Sequence, residues 1–200
     1  MVDVVSHNLF PTVVHQFTLD ISSFDKKQMI SYVNEGKLKP NGMKQTEDDV
    51  HKISYFKNFK DEIITLNKTI LDKLEYEYED ILITSMWGNL LFPSQTHSPH
   101  THSNNFLSGV FYLQSDDLSG KIGFFDPRPQ AGVLCPRIKK NLLENSNAIE
   151  FEPKDNMGLI FPSWLQHWVL PTNSKRISLS WNILVKGHYG APNTLQNAYI

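Results

Sequence analysis

The 200-residue chain has a single cysteine, Cys135. One thiol excludes an intramolecular disulfide and a cysteine-based zinc knuckle, and it fits a reducing, cytoplasmic setting. There is no basic run, and the formal net charge is −2, so nothing answers to a nucleic-acid backbone as partner. No apolar run approaches the length needed to cross a bilayer, so no membrane partner is expected. The start, MVDVVSHNLFP, has neither a basic segment nor a long apolar one, and no signal peptide is expected. Repeats and low-complexity segments are missing too. What the chain does have is apolar and aromatic content, 40% and 12%, enough for a sizeable core. Its length suits one domain over residues 1–200.

Residues 1–80 mix one strand with helices. TVVHQFTL (12–19) has the β-branched and aromatic content of a strand. SSFDKKQMISYVNEG (22–36) predicts a helix, with Ser22 or Ser23 as N-cap, Phe24, Ile30 and Val33 on its apolar side, and Gly36 at its end. KLKPNGMKQTEDDV (37–50) is polar, carries Pro-Asn-Gly, and reads as a loop. FKDEIITLNKTILDKLEYEYED (59–80) predicts the clearest helix, with Ile63, Ile70, Leu71, Leu74 and Tyr78 at helical spacing.

From residue 81 the pattern changes. ILITSMWGNLLF, FLSGVFYLQ, KIGFFD, AIEF, NMGLIF, LQHWVL and RISLSWNILV are short apolar runs. Turn residues separate them, at Pro93, Ser119-Gly120, Pro127, Pro129, Asn156 and Pro162-Ser163. This punctuation predicts a mainly β fold, a sandwich or jelly-roll barrel, with the N-terminal helices on one outer sheet face. Residues 81–187 are its strand core and residues 188–200 a C-terminal tail.

Three of the eight histidines, His97, His100 and His102, fall within six positions. Residues two apart on an extended segment point the same way, so His100 and His102 present their imidazoles to one point. The odd spacing of His97 turns it away, and it reads as a surface-loop residue. Two imidazoles seldom complete a catalytic divalent site. The best third donor is His167 in SWLQHWVLP, flanked by apolar residues where an unpaired ring is costly. His7, His15, His51 and His188 have no such company and read as structural or exposed.

Nine residues after His167, RISLSWNILV begins. Alternation puts Arg176, Ser178, Ser180 and Asn182 on one face and Ile177, Leu179, Trp181 and Ile183 on the other, the packing face. The first face suits solvent or, equally, a carboxylate held inside a barrel, because Arg offers a bidentate fork and Ser adds a donor.

His-x-His, a distant His and then Arg-x-Ser together resemble the Fe(II)/2-oxoglutarate-dependent oxygenases, over roughly residues 85–185. GVFYLQ with GKIGFFDP is similar to a strand pair of the prolyl-hydroxylase-like branch, and NMGLIFPSWLQHWVLP to that branch's turn into the distal histidine. More narrowly, NLFPT, HTHSNNFLSGVFYL, FFDPRP, GLIFPSWLQHWV and RISLSWNI resemble a family of 2-oxoglutarate–Fe(II) oxygenases from bacteria and phages. The resemblance implies a double-stranded β-helix, a cupin-like jelly roll. It implies His100, His102 and His167 as ligands of Fe(II), and Arg176 and Ser178 on the far carboxylate of 2-oxoglutarate. By the same resemblance Tyr112 is expected to reach that carboxylate, with Asn182 and Asn89 as further pocket candidates. Three protein donors and two atoms of 2-oxoglutarate then leave one octahedral position for O2.

One departure stands out. The general pattern of those oxygenases has a carboxylate where this chain has His102. Three neutral imidazoles leave the metal's charge uncompensated by protein, which favours anionic co-ligands and also suits zinc. Asp126 in FFDPRP and His97 are the alternative donors, although Asp-Pro reads first as a turn. A cupin-like three-histidine dioxygenase or zinc enzyme without 2-oxoglutarate is the alternative reading, and a non-enzymatic β-sandwich binding module the third. The resemblance makes a peptidyl or protein side chain the first expected substrate and a small molecule the second. The basic residues Arg137, Lys139 and Lys140 fall in a loop over 129–146. Trp164, Trp168 and Trp181 are expected as core aromatics or as walls that keep the site dry. Oligomeric state has no signal in the sequence.

Overall fold

The computed structural model describes residues 2–21 and 26–200. Ser22, Ser23 and Phe24 of the first predicted helix lie outside these residues. In chain order the elements are β1 (His15–Thr18), α1 (Lys26–Asn34), β2 (Lys37–Leu38), β3 (Lys44–Gln45), two 3-10 turns (Val50–Lys52 and Ser54–Phe56) and α2 (Lys57–Lys73). Then follow β4 (Asp80–Leu91), β5 (His97–His100), β6 (Leu107–Gln114), β7 (Ile122–Phe125), β8 (Ala148–Phe151), β9 (Met157–Pro162), β10 (His167–Val169), β11 (Arg176–Lys186), β12 (His188–Tyr189) and β13 (Ala198–Tyr199).

Seven strands form a major sheet in the order β1-β9-β6-β11-β4-β3-β2, and four form a minor sheet in the order β5-β10-β7-β8. The pairings are antiparallel. From β4 onward the chain passes back and forth between the sheets, which is the jelly-roll winding of a double-stranded β-helix. No helix of the described residues is long and apolar enough to cross a membrane.

The alternation in β11 decides the layering. Ile177, Leu179, Trp181 and Ile183 are fully buried in a cluster that also holds Met29 and Val33 of α1 and Phe59, Ile63 and Leu71 of α2. The Phe59 ring lies 5.2 Å from that of Phe111 and 6.0 Å from that of Trp181. Each such apolar side chain contributes about 1.5–3 kcal/mol when fully buried. The helices thus cover the outer face of the major sheet and leave its inner face free to meet the minor sheet. Gly88 allows α1 to sit so close, since a Cβ there would lie 2.3 Å from Val33 Cγ2. A second cluster between the sheets includes Val110, Tyr112, Ile122, Phe124, Leu159 and Phe161.

The structure corrects several local expectations. Helix α2 ends at Lys73, with Glu75 at φ 56 and Leu74 43% exposed, so Tyr78 lies beyond it. The acidic EYEYED tail opposes the helix dipole at that end. Residues 37–50 are more than a loop: β2 and β3 form a hairpin whose turn has Gly42 at φ 82. Lys44 and Gln45 pair with Leu90 and Asn89, covering backbone that β4 would otherwise leave as an open edge. Polar β5 carries no strand signal and forms because β10 needs a partner. In the tail, β12 and β13 pair, and Gly187 exchanges backbone hydrogen bonds with Ile200.

Candidate metal and carboxylate site

Strands β5 and β10 bring His100 and His167 opposite one another, with ring centroids 4.4 Å apart. His102 follows two residues past β5, fixed by its backbone N–H donating to Ser163 O at 2.9 Å. One ring nitrogen from each of the three lies within 4.8 Å of the others. A carbonyl can only accept, so the contacts His100 Nδ1 to Ser98 O (2.8 Å) and His167 Nδ1 to Leu165 O (2.9 Å) put the proton on Nδ1. Nε2 of each then keeps its lone pair free, as a metal ligand needs. Burial pushes His167 down to about 3 and His102 to about 4, so both are neutral at pH 7. The His102 ring rests 5.8 Å from that of Trp87.

The inner face of the major sheet builds the other end of the cavity in rows. Register aligns Asn89 of β4, Ser178 of β11 and Tyr112 of β6 in one row, with Arg176 two residues before Ser178 on the same face. Arg176 is 2% exposed. Its guanidinium carbon stands 4.8 Å from the Tyr112 ring centroid, and Nη1 donates to Ser178 Oγ at 3.3 Å. No carboxylate of the described residues pairs with it. Arg176 Nε and the Tyr112 hydroxyl are buried without hydrogen-bond partners. Burial raises the Tyr112 pKa despite the nearby guanidinium, keeping the phenol a donor. A buried cation with orphaned donors is costly unless an anion completes the site. Asn89 joins the wall through Gln45 Nε2, which donates to its Oδ1, and Ser180 Oγ, to which its Nδ2 donates.

One cavity has His100, His102, His167, Arg176, Ser178 and Asn89 in its lining. Three expectations change here. His97 is no surface-loop residue: it lines the same cavity and its Nε2 is buried without a partner. The reason is a bulge. His100 pairs with His167 and His97 with Val169, so three residues of β5 span two of β10 and the odd spacing is absorbed. Asn182 leaves the pocket wall: its Oδ1 accepts from Ser108 Oγ at 2.7 Å and its Nδ2 donates to Ser85 Oγ at 2.9 Å. Ser108 Oγ in turn lies 2.8 Å from the hydroxyl of Ser163, whose carbonyl holds His102. Asp126 accepts from Arg128 through both carboxylate oxygens, at 3.0 and 2.7 Å, and lies outside the histidine group.

Of the tryptophans, Trp181 is in the helix-side core, Trp168 stacks on Phe125, and Trp164 is exposed. Sequence reasoning missed Trp87, which lines the cavity beside Val110, Ile122, Phe161 and Val169. Alternation from Asn89 along β4 points to Trp87, two residues back on the same face.

Two antiparallel sheets around a cavity with neutral imidazoles at one end and an uncompensated guanidinium at the other define a metal-dependent enzyme that binds a carboxylate co-substrate. Residues 85–182, a span that contains the whole site, match the family described as "Putative 2OG-Fe(II) oxygenase". The chain is a 2-oxoglutarate-dependent iron oxygenase whose cofactors are Fe(II) and 2-oxoglutarate. No curated protein matches the chain in sequence. Among solved structures, a prolyl-4-hydroxylase from Pseudomonas putida is similar at TM-score 0.64 and 18% identity, covering 88% of this chain and 94% of that one. A viral collagen prolyl hydroxylase from Paramecium Bursaria Chlorella virus-1, solved with 2OG, has TM-score 0.57 and 11% identity, covering 85% and 94%. The non-heme alpha-ketoglutarate-dependent epimerase SnoN of nogalamycin biosynthesis has TM-score 0.64 and 11% identity, covering 92% and 83%. These likenesses establish the fold.

Proposed function

We propose that the enzyme hydroxylates a peptidyl or protein side chain, with His100, His102 and His167 holding Fe(II) and Arg176, Ser178 and Tyr112 receiving the far carboxylate of 2-oxoglutarate. The observation that carries this reading is Arg176, buried without a counter-charge in the cavity that the three imidazoles share. When bound, iron and 2-oxoglutarate supply oxidative decarboxylation of the keto-acid coupled to oxidation of a substrate C–H bond. The chain supplies the rest. The Ser98 and Leu165 carbonyls orient His100 and His167. Arg176 and the protonated Tyr112 hold the co-substrate at its far end. Val110, Ile122, Phe161 and Val169 line the space between with apolar surface that excludes water. His102 would bring no charge to the metal, so the one carboxylate of 2-oxoglutarate at the metal end would supply the neutralising charge, while Arg176 takes the other.

Support for a peptidyl substrate comes from the likeness to the two prolyl hydroxylases, and from a further similar structure described as a prolyl hydroxylase in complex with a hypoxia inducible factor peptide fragment. The equally similar epimerase SnoN supports a small-molecule substrate as the second reading. A cytoplasmic setting belongs to the proposal.

The test is an anaerobic titration of metal-free protein with Fe(II) and then 2-oxoglutarate, following the visible charge-transfer band of a chelated iron–keto-acid pair. The band is expected in the wild type, lost in His102→Ala, and in Arg176→Ala reached only at much higher 2-oxoglutarate. A band that survives His102→Ala unchanged moves the third ligand elsewhere. No band with tight zinc binding turns the assignment to a three-histidine zinc enzyme. Peptide and small-molecule libraries, scored by succinate release above the uncoupled background, then separate the two substrate classes.

A further inference from the structure

His97 has no place in the ligand set or the carboxylate clamp, yet it stands in the same cavity. Its ring centroid lies 6.2 Å from that of His100, and its nitrogen is not among those that converge on one point. The β5 bulge sets it opposite Val169, one step further along β10 than the His100–His167 pair. It lines the cavity together with Arg176. Its Nε2 is buried with no partner, and so is Arg176 Nε. An imidazole nitrogen carrying its lone pair would be an acceptor that a neighbouring guanidinium could satisfy, yet the two groups make no hydrogen bond to each other. Two buried nitrogens without partners, in a cavity whose lining has no acidic residue, call for one ligand that meets both, and an acceptor-rich one does so when His97 carries its proton on Nε2.

We infer that His97 is a 2-oxoglutarate-binding residue whose Nε2–H donates to a carboxylate oxygen of the keto-acid in the cavity it shares with the three imidazoles and Arg176. The inference rests on the assignment of that cavity to 2-oxoglutarate. It gives the co-substrate a contact along its length besides the clamp at its far end, and it makes His97 a determinant of which keto-acid fits. The bulge in β5 then has a binding role: without it His97 would face away from the cavity.

The experiment measures 2-oxoglutarate affinity calorimetrically on Zn(II)-loaded protein, where no turnover intervenes, for wild type, His97→Phe, His97→Gln and Arg176→Ala. Zn(II) affinity of each variant is measured first. A hydrogen bond to a charged group is worth about 1.5–3 kcal/mol, so His97→Phe is expected to weaken 2-oxoglutarate about ten- to a hundredfold with Zn(II) affinity unchanged. His97→Gln places an amide N–H near the Nε2 position and is expected to recover most of that loss. In the wild type, 2-oxoglutarate is expected to shift the His97 Nε2 resonance in nitrogen NMR of histidine-labelled protein. Wild-type affinity in His97→Phe, with Arg176→Ala impaired, overturns the role of His97 and leaves the clamp standing. Loss of Zn(II) binding in both His97 variants makes it a metal ligand and overturns the inference in another way. Equal affinity in Arg176→Ala and wild type overturns the assignment of the cavity itself.

Discussion

In the proposed function, Arg176 is the residue on which the carboxylate end of the site depends. Its guanidinium sits over the Tyr112 ring, and its Nη1 donates to Ser178 Oγ. Removing one member of a buried charge pair costs about 3–5 kcal/mol, so Arg176→Ala is expected to weaken 2-oxoglutarate binding by about two to four orders of magnitude. Ser178→Ala, which removes one neutral donor, is expected to cost about tenfold; calorimetry on the Zn(II)-loaded protein checks both. The histidines carry a second expectation. Burial holds His167 at about 3 and His97 and His102 at about 4, below the value of 6.5 for an unburied imidazole. Below pH 6.5 the unfolded chain therefore takes up protons that the folded chain refuses. Their full contribution to stability is present above pH 6.5 and is lost as pH falls toward 4. Burial also lowers His15 and His51, which act with the same sign. Urea midpoints of metal-free protein at pH 7.5 and pH 5 measure this, and equal midpoints contradict it.

At the scale of elements, the site is built by register. The row Asn89–Ser178–Tyr112 exists because β4, β11 and β6 pair in one alignment, and the next row but one on the same face is Ser85–Asn182–Ser108. That second row is a closed polar network tied through Ser163 to the backbone of His102. Asn182→Leu leaves the buried Ser108 hydroxyl short of a partner and is expected to destabilise the fold by about 1–3 kcal/mol. The urea midpoint falls with an unchanged denaturant slope if the effect is on the folded state alone. The packing of α1 on β4 gives a parallel case. Gly88→Val drives a side chain into Val33 and is expected to cost about 1–3 kcal/mol by overpacking.

For the whole molecule, metal and 2-oxoglutarate bind the folded chain and raise its stability by mass action. At a hundredfold excess over Kd the gain is about 2.7 kcal/mol per ligand. In a 200-residue domain that is a rise in Tm of about 5–10 °C. Zn(II) is expected to raise Tm, and 2-oxoglutarate to raise it again only in the presence of metal. Arg176→Ala keeps the first increment and loses the second. A 2-oxoglutarate increment that persists in Arg176→Ala places the clamp elsewhere.

The strand-rich half was legible because β11, β6 and β9 carry their periodicity in their own side chains. The structure brings His100, His102, His167, Arg176 and Ser178, which the sequence pattern and the resemblance had singled out, to one cavity. Helix α2 was overextended because periodicity continues past Lys73 while the acidic tail and the turn at Glu75 stop the helix. The polar strand β5 left no local signal, since its pairing is set by the open edge of β10, and the hairpin of β2 and β3 showed only its Asn41-Gly42 turn. The sequence alone determined which residue types face inward along each strand, because side-chain alternation is a property of the extended chain itself. Only the tertiary structure decided where those faces meet. It turned His97 into the cavity through a bulge against β10 and withdrew Asn182 into a supporting network. Each depends on register between segments distant in sequence, which no local pattern encodes.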